Sequence, residues 1–172
     1  MCEEGFTEDG LTGLCTACPG GQYKPTLGNS ECLTCPSNSK TDVQGMIYRT
    51  QCECQENRVL LDATDECVCI QGFQEVAGQC QACADGWWKA DDSNMPCTAC
   101  AIRASTSGQT GSVSVEQCVC PPNQELSGDG STCVCSSGFE WNTAIGACLP
   151  CSDGTFKSQV RCLHIDSPHA FS

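Results

Sequence analysis

Cys67–Cys100 has the sequence CVCIQGFQEVAGQCQACADGWWKADDSNMPCTAC, and the order of signals in this stretch recurs along the chain. A Cys-x-Cys pair leads into Gly-Phe, a Cys-x-x-Cys pair follows, and an aromatic-Lys step comes behind it. The same order of signals occurs around Cys2 and around Cys135. A pattern that returns at a fixed period predicts a repeat architecture.

Registering the chain on Cys-x-x-Gly-Phe divides it into three repeats. Residues 2–68 and residues 69–134 form two full repeats with eight cysteines each, and residues 135–162 form a partial third repeat with four. Residues 163–172 follow as a C-terminal tail without cysteine, which we expect to be loosely held. The repeats begin at Cys2, Cys69 and Cys135, so the register hardly drifts.

The composition predicts a small disulfide-rich fold. The chain has 172 residues, of which 20 are cysteine, and its longest aliphatic run is Val59-Leu60-Leu61. A chain this poor in apolar side chains needs covalent staples in place of a large core. We therefore expect an elongated tandem repeat of short β-hairpins and loops, with little helix and a minimal hydrophobic core.

Short strands are predicted where apolar or β-branched residues lie between turn residues. The candidates are Gly21–Lys24, Met46–Thr50, Ser112–Glu116 and Phe139–Trp141. Ser105–Ser114, with the sequence STSGQTGSVS, is the most linker-like stretch.

One pattern of disulfide pairing closes every loop locally. Each closed loop of this size is worth about 3 kcal/mol in the chain-entropy model, although ten such contributions do not simply add. The pairs of this pattern are Cys2–Cys15, Cys18–Cys32, Cys35–Cys52, Cys54–Cys67, Cys69–Cys80, Cys83–Cys97, Cys100–Cys118, Cys120–Cys133, Cys135–Cys148 and Cys151–Cys162.

Sequence alone leaves part of this connectivity open. A crossed arrangement, Cys35–Cys54 with Cys52–Cys67, is the alternative in the first repeat. By the repeat symmetry the same alternative applies to the four cysteines between Cys100 and Cys133. The even number of cysteines suits full pairing, and disulfides persist in oxidising compartments, so we expect an extracellular, cell-surface or lumenal chain.

The motifs of this chain resemble those of three known families. Cys67–Cys80 resembles the C-terminal half of an EGF or laminin-EGF-like module, which implies the pair Cys69–Cys80. Cys15–Lys24 (CTACPGGQYK) with Cys32–Pro36 (CLTCP) resembles the ephrin-receptor-like cysteine-rich repeat and the tumour-necrosis-factor-receptor module, which implies Cys18–Cys32. The resemblance extends to Cys162, but such repeats occur in receptors, adhesion proteins and protist surface proteins. It therefore implies an architecture and leaves the function open.

The charge excludes some classes of partner. The net charge is −13, from 21 acidic and 8 basic residues, and it argues against nucleic acid and anionic membranes as partners. No stretch is apolar enough to span a membrane. No leader is visible before Cys2, so we expect either a longer precursor or a section of a longer chain.

Metal sites are the alternative use of these residues. The paired Cys-x-x-Cys motifs approach zinc-ribbon spacing, but the Cys-x-Cys pairs have no role in a ribbon, and we expect disulfides. We expect no cofactor, with calcium as the alternative. Its candidate ligands are the oxygen-rich positions Asp62, Asp65, Asp91 and Asp92.

Aromatic residues are the candidates for contact with a protein partner. We expect one of Trp87 and Trp88 to be buried and the other exposed, and Trp141 is a further candidate. In the three aromatic-Lys steps, Tyr23-Lys24, Trp88-Lys89 and Phe156-Lys157, the lysine stem is expected to lie along the bridges. The two histidines, His164 and His169, have no catalytic arrangement around them, so no enzymatic activity is expected.

These observations predict an extracellular, non-enzymatic repeat protein. Its expected role is a stiff, disulfide-stapled rod or building block of a surface filament, hair or matrix assembly, with head-to-tail self-assembly or a larger complex as the mode of association. The alternative is a receptor-type ectodomain that binds a protein ligand. A metal-thiolate protein is the third and weakest reading.

Overall fold

The structure is a computed structural model that describes residues 1–40, 42–152, 155–158 and 161–164. In this described part the chain folds into nine two-stranded antiparallel sheets and two single turns of 3-10 helix. Each odd-numbered strand pairs with the strand that follows it, so every sheet is a local hairpin. The small disulfide-rich fold of tandem hairpins is confirmed.

The strands are two to four residues long. They are β1 Phe6–Glu8, β2 Cys15–Ala17, β3 Gln22–Tyr23, β4 Leu33–Thr34, β5 Ser39–Lys40, β6 Glu53–Cys54, β7 Arg58–Leu61, β8 Glu66–Cys69, β9 Phe73–Val76, β10 Gln79–Ala82, β11 Trp87–Trp88, β12 Thr98–Ala99, β13 Gln124–Leu126, β14 Cys133–Cys135, β15 Phe139–Asn142, β16 Ala147–Pro150, β17 Thr155–Ser158 and β18 Arg161–His164.

The glycine of the Gly-Phe signal sets the start of a hairpin. Gly5 has a φ of 77°, in the left-handed region that glycine adopts readily. A Cβ atom added at Gly5 would lie 2.4 Å from the carbonyl oxygen of Gly45, so the close approach of two backbones also excludes a side chain here. Gly72 and Gly138 repeat the same φ, at 75° and 82°.

All 20 cysteines are paired, and none is free. The ten bridges of the structure join the ten pairs of the local pattern, across sequence separations of 11 to 18 residues. Cys35 is bonded to Cys52 and Cys54 to Cys67, so the crossed alternative does not occur in this structure. A chain with every cysteine in a disulfide offers no thiolate to a metal.

Cysteines take the place of a hydrophobic core. Among the described residues, the buried apolar side chains that are not cysteine are Pro36, Met46 and Val68. Met46 packs against Cys35 and Cys52, with Tyr23 at the edge of the cluster. The bridges, rather than aliphatic packing, therefore hold the hairpins together.

Backbone contacts group the chain into two compact units, Met1–Gln81 with Asp91–Pro96, and Ala82–Ala90 with Cys97–Ser172. The boundaries of the three sequence repeats remain a prediction of register. The tail beyond His164 lies outside the described residues, as does Gly154.

Two of the predicted strands are wrong. Met46 and Ser112 each form a single β-bridge, and the chain then turns into the 3-10 helices Arg49–Gln51 and Val115–Gln117. The side-chain oxygen of Gln117 accepts hydrogen bonds from the backbone N–H groups of Val113 and Ser114, at 2.7 and 3.1 Å. Gln51 does the same in the first repeat. The glutamines before the pairs Cys52-x-Cys54 and Cys118-x-Cys120 are therefore capping residues.

Ser105–Ser114 is an ordered loop with internal contacts rather than a linker. Thr106 is buried, and its N–H and hydroxyl both donate to Asp85, at 2.8 and 3.0 Å. These hydrogen bonds, that of the Thr106 hydroxyl first, hold the pKa of the Asp85 carboxyl below its usual value. Ser112 is also buried, although its hydroxyl has no hydrogen-bond partner. The polar composition of this loop serves internal hydrogen bonds.

The lysines of the first two aromatic-Lys steps are buried, and the position of their stems along the bridges stays a prediction. Lys24 is 1% exposed and Lys89 is 3% exposed. The ammonium of Lys24 donates to the carbonyls of Phe6 and Gly28, both at 2.6 Å. Charge-assisted bonds to carbonyls make burial of an ammonium tolerable. Lys24 therefore ties the first hairpin to the loop that ends at Cys32.

No helix among the described residues has the length and apolar character that crossing a membrane requires.

Candidate interaction site

The candidate site lies between the hairpins β13–β14 and β15–β16, and we call it the second junction. It consists of Arg103, residues 121–124, Trp141 and residues 146–148. Two backbone hydrogen bonds fix its frame. The N–H of Ser136 donates to the carbonyl of Asn123 at 2.9 Å, and the N–H of Cys133 donates to the carbonyl of Ile102 at 2.8 Å.

A cavity of about 350 Å³ opens at the second junction. Pro121, Pro122 and the ring of Trp141 form apolar walls, and Gln124 and Arg103 supply polar groups. The guanidinium carbon of Arg103 lies 4.0 Å from the centroid of the Trp141 ring. A cation–π contact of this kind is worth about 0.5–1 kcal/mol at an exposed site. The contact also fixes the orientation of a side chain that would otherwise be free in solvent.

Arg103 has an unusual backbone conformation, with a φ of 70°. The equivalent residue of the first repeat is Asn38, with a φ of 61°. The equivalence follows from the neighbouring residues, because Cys67 donates to Ser37 as Cys133 does to Ile102. Asparagine tolerates the left-handed region, whereas arginine there costs about 1 kcal/mol. The second junction therefore carries strain that the first repeat avoids.

Gln124 presents an unpaired acceptor. Its side-chain oxygen is buried and has no hydrogen-bond partner. Such an acceptor costs about 1–3 kcal/mol until a donor reaches it.

We call the equivalent place between the hairpins β7–β8 and β9–β10 the first junction. Its side chains are mostly polar. Its counterpart of Gln124 is Arg58, since these two residues pair with Cys135 and Cys69 in their hairpins. Arg58 is buried and forms an ion pair with Glu75 at 3.2 Å. It also donates to the carbonyls of Cys67 and Gly78 and to the amide oxygen of Asn94. The buried guanidinium therefore has four polar partners.

Trp141 also lines a second cavity, with a volume of about 340 Å³. Half of the other residues that line it are polar, and the full set is Glu140, Asn142, Leu149, Pro150, Cys151, Ser152, Thr155 and Cys162. Of the three tryptophans predicted as contact residues, Trp141 thus borders two cavities.

Trp87 and Trp88 form β11, away from these cavity walls. Trp87 is 45% exposed and Trp88 is half-buried. The ring nitrogen of Trp88 is buried without a partner, and Trp88 forms a β-bridge with Ser112, whose hydroxyl is also unpaired. The first repeat has Tyr23 and Met46 at these two positions. The larger ring of Trp88 thus lies opposite the smaller Ser112, whereas the smaller ring of Tyr23 lies opposite the larger Met46.

The calcium candidates have other partners in the structure. Arg49 forms ion pairs with Asp62 and Asp65, the first at 3.2 Å. The carboxylate of Asp92 accepts a hydrogen bond from the N–H of Gln71 at 3.0 Å, and Asp91 is exposed. Within the described ranges no three acidic, histidine or cysteine side chains are grouped as a metal site would require.

The repeats identify the family. The model of the family described as tyrosine-protein kinase ephrin type A/B receptor-like matches residues 5–52 and again residues 72–118. The chain belongs to this ephrin-receptor-like family of cysteine-rich repeats. The two matches begin at Gly5 and Gly72, the glycines that start the Gly-Phe hairpins, so the family repeat and the structural repeat share one register.

Three relatives illustrate where ephrin-receptor-like repeats occur. Ephrin type-A receptor 1 of Homo sapiens is 39% identical over 54 residues, which is 31% of this chain and 5% of the relative. Cysteine repeat modular protein A of Toxoplasma gondii is 25% identical over 174 residues, 93% of this chain and 5% of the relative. The sushi, von Willebrand factor type A, EGF and pentraxin domain-containing protein 1 of Rattus norvegicus is 33% identical over 84 residues, 47% of this chain and 2% of the relative. The chain thus spans only a small part of each.

Sequence reasoning named Trp141 but not its surroundings. It missed Arg103 and Gln124, because neither belongs to a recognisable motif. The repeat register contained a signal, since Arg103 and Trp141 stand where the preceding repeat junction has Asn38 and Glu75.

Proposed function

We propose that the chain is a segment of an extracellular protein in which it serves as a spacer or building block of a surface filament, hair or matrix assembly. The observation that carries the proposal is the local closure of all ten disulfide loops. A hairpin held by its own bridge needs contacts only with its neighbours, so units of this kind can be added in series without a larger core. Ten disulfides also require an oxidising compartment.

Self-association tests the assembly part of this proposal. Native mass spectrometry and sedimentation of the oxidised chain are carried out over a wide range of concentration, with the reduced and alkylated chain as the control. We expect multimers that form from the oxidised chain and disappear after reduction. A monomer at every concentration would remove the support for head-to-tail assembly, while leaving the spacer role in place.

A receptor-type ectodomain that binds a protein ligand is the second candidate. The second junction favours it, because apolar walls and an exposed, oriented guanidinium are typical of a protein contact surface. Replacement of Trp87, Trp88 and Trp141 one at a time separates the candidates. A contact surface at the second junction requires that Trp141→Ala weakens ligand binding much more than Trp87→Ala does.

A further inference from the structure

We propose that the second junction binds an extended segment of a partner protein in which one carboxylate lies beside an apolar side chain. This inference rests on the second candidate function, that of a protein-binding ectodomain, and it names the site and the chemistry of its ligand.

The walls of the second junction are apolar where those of the first junction are polar. Gln55 and Glu56 of the first junction correspond to Pro121 and Pro122 of the second. Glu75 of the first junction corresponds to Trp141, because each lies two residues after the phenylalanine of its Gly-Phe signal. Three polar side chains have thus given way to two prolines and a tryptophan around one cavity. An apolar side chain of a ligand fits such walls, and its burial there is favourable.

Arg103 is the group that recognises a carboxylate. It is an exposed cation, and the ring of Trp141 is the partner that the structure gives its guanidinium. Stacking occupies the face of the guanidinium and leaves its N–H edge in the plane, which is the edge that binds a carboxylate through two parallel hydrogen bonds. Because the ring already fixes the guanidinium, the side chain of Arg103 loses little further freedom when a ligand binds.

The strained backbone at Arg103 supports the same conclusion. The position is left-handed in both repeats, and Asn38 meets that requirement without strain. An arginine at this position is retained at a cost in stability, which is typical of residues held for function.

Gln124 indicates that the ligand is a peptide. Its buried oxygen is an acceptor without a donor in the cavity wall. Because this oxygen has almost no exposed surface, the Gln124 side chain has to turn towards the cavity on binding. A backbone N–H of an extended peptide would then supply the missing donor while a neighbouring carboxylate reaches Arg103.

The charge of the whole chain limits the acidity of the ligand. At a net charge of −13, a run of acidic residues would be repelled before it reached the cavity. One carboxylate flanked by apolar residues avoids this repulsion and still meets the single cation of the cavity, Arg103.

A library of blocked heptapeptides tests the proposal with the intact, oxidised chain. The comparison variants are Arg103→Asn and Trp141→Glu, which restore the residues of the first junction at positions where those residues already occur in the fold. Lys40→Asn is the matched control, because it removes an exposed cation elsewhere. Intact mass with ten bridges and an unchanged far-ultraviolet circular dichroism spectrum establish that each variant is folded.

We expect the original chain to select peptides with Asp or Glu next to a Leu, Ile, Val or Phe. The affinity of the best peptide should fall at least about tenfold in Arg103→Asn and in Trp141→Glu, and stay unchanged in Lys40→Asn. Replacing the acidic residue of that peptide by its amide should cause a similar fall, and this fall should be absent in Arg103→Asn.

Two outcomes would overturn the proposal. One is a library that yields no acidic-apolar preference, or the same preference from Arg103→Asn. The other is concentration-dependent self-association that Arg103→Asn abolishes without any peptide selection, since the site would then take a second copy of the chain. A monomeric chain that still selects peptides contradicts the assembly proposal alone, so the two failures are distinguishable.

Discussion

The first and second junctions occupy the same place in consecutive repeats, but they are lined by side chains of different polarity. The first junction buries an arginine and surrounds its guanidinium with a carboxylate, an amide oxygen and two carbonyls. At the second junction the arginine, Arg103, lies at the surface against the ring of Trp141. The cavity there contains the unpaired acceptor of Gln124. The arginine of the first junction is paired with the polar groups around it, whereas the guanidinium edge of Arg103 and the side-chain oxygen of Gln124 are not paired with other protein groups in the described part of the chain. Repeats with the same bridges can thus specialise at the places where they meet.

The largest effect is expected from Arg58→Met. The change removes the guanidinium that donates to four acceptors, and it leaves the carboxylate of Glu75 without its cation. Because Glu75 is partly exposed, we expect a loss of about 3 kcal/mol, at the low end for breaking a buried ion pair. Denaturant unfolding of the oxidised chain measures it.

Gln124→Met at the second junction is the matched control. It removes a buried acceptor that has no donor, so the free energy of unfolding should not fall and should rise by about 1–3 kcal/mol. Equal losses for Arg58→Met and Gln124→Met would mean that the two junctions do not differ in the way described.

A smaller loss is expected from Lys24→Met. The change leaves the carbonyls of Phe6 and Gly28 without their donor, at a cost of about 1–3 kcal/mol. Amide hydrogen exchange should show the opening confined to the first hairpin and the loop before Cys32, upstream of both junctions. Lys40→Met, at an exposed lysine, should leave the exchange pattern as it is.

Arg103→Asn should alter the stability by less than about 1 kcal/mol in either direction. The lost cation–π contact and the relieved left-handed strain are of similar size and opposite sign. Thermal unfolding at neutral pH measures the difference. A large destabilisation would show that Arg103 is a structural residue and would weaken the case for a ligand at the second junction.

The smallest effect is a pH dependence in the loop of Ser105–Ser114. The hydroxyl and N–H of Thr106 lower the pKa of Asp85 in the folded state below the ordinary 3.8. The stabilisation is therefore complete above the unfolded pKa and is lost as the pH falls through the folded pKa. Exchange of the Thr106 amide should accelerate in that acidic range.

Asp85→Asn is the control for this dependence. It should remove the acidic transition at Thr106 and leave the first repeat unaffected, because Gly20 stands at the equivalent position there. An acidic transition that persists in Asp85→Asn would assign it to another carboxylate.

The repeat pattern predicted the fold class, because cysteine spacing restricts which loops can close and glycine marks where hairpins begin. It could not predict burial of polar residues. Lys24 looks like a surface lysine in sequence, and its burial is explained by the carbonyls of Phe6 and Gly28, which converge on its ammonium in the fold. Thr106 and Ser112 misled in the same way, since a loop rich in Ser and Gly is polar whether it is solvated or hydrogen-bonded internally.

The candidate site was predicted in part. An aromatic residue in a chain without a core is a sound candidate for contact, and Trp141 is such a residue. The contribution of Arg103 depends on its backbone angle and on its contact with the ring of Trp141. Neither can be predicted from the residues next to Arg103 in the sequence.

The buried ammonium of Lys24 has a consequence for the surroundings in which the fold can survive. A cation attached to the chain by its own side chain cannot dissociate, so this clamp is present at the same strength in dilute and in concentrated media. The hairpin that follows Cys2 is thereby organised by a positive charge that no chelating agent can remove.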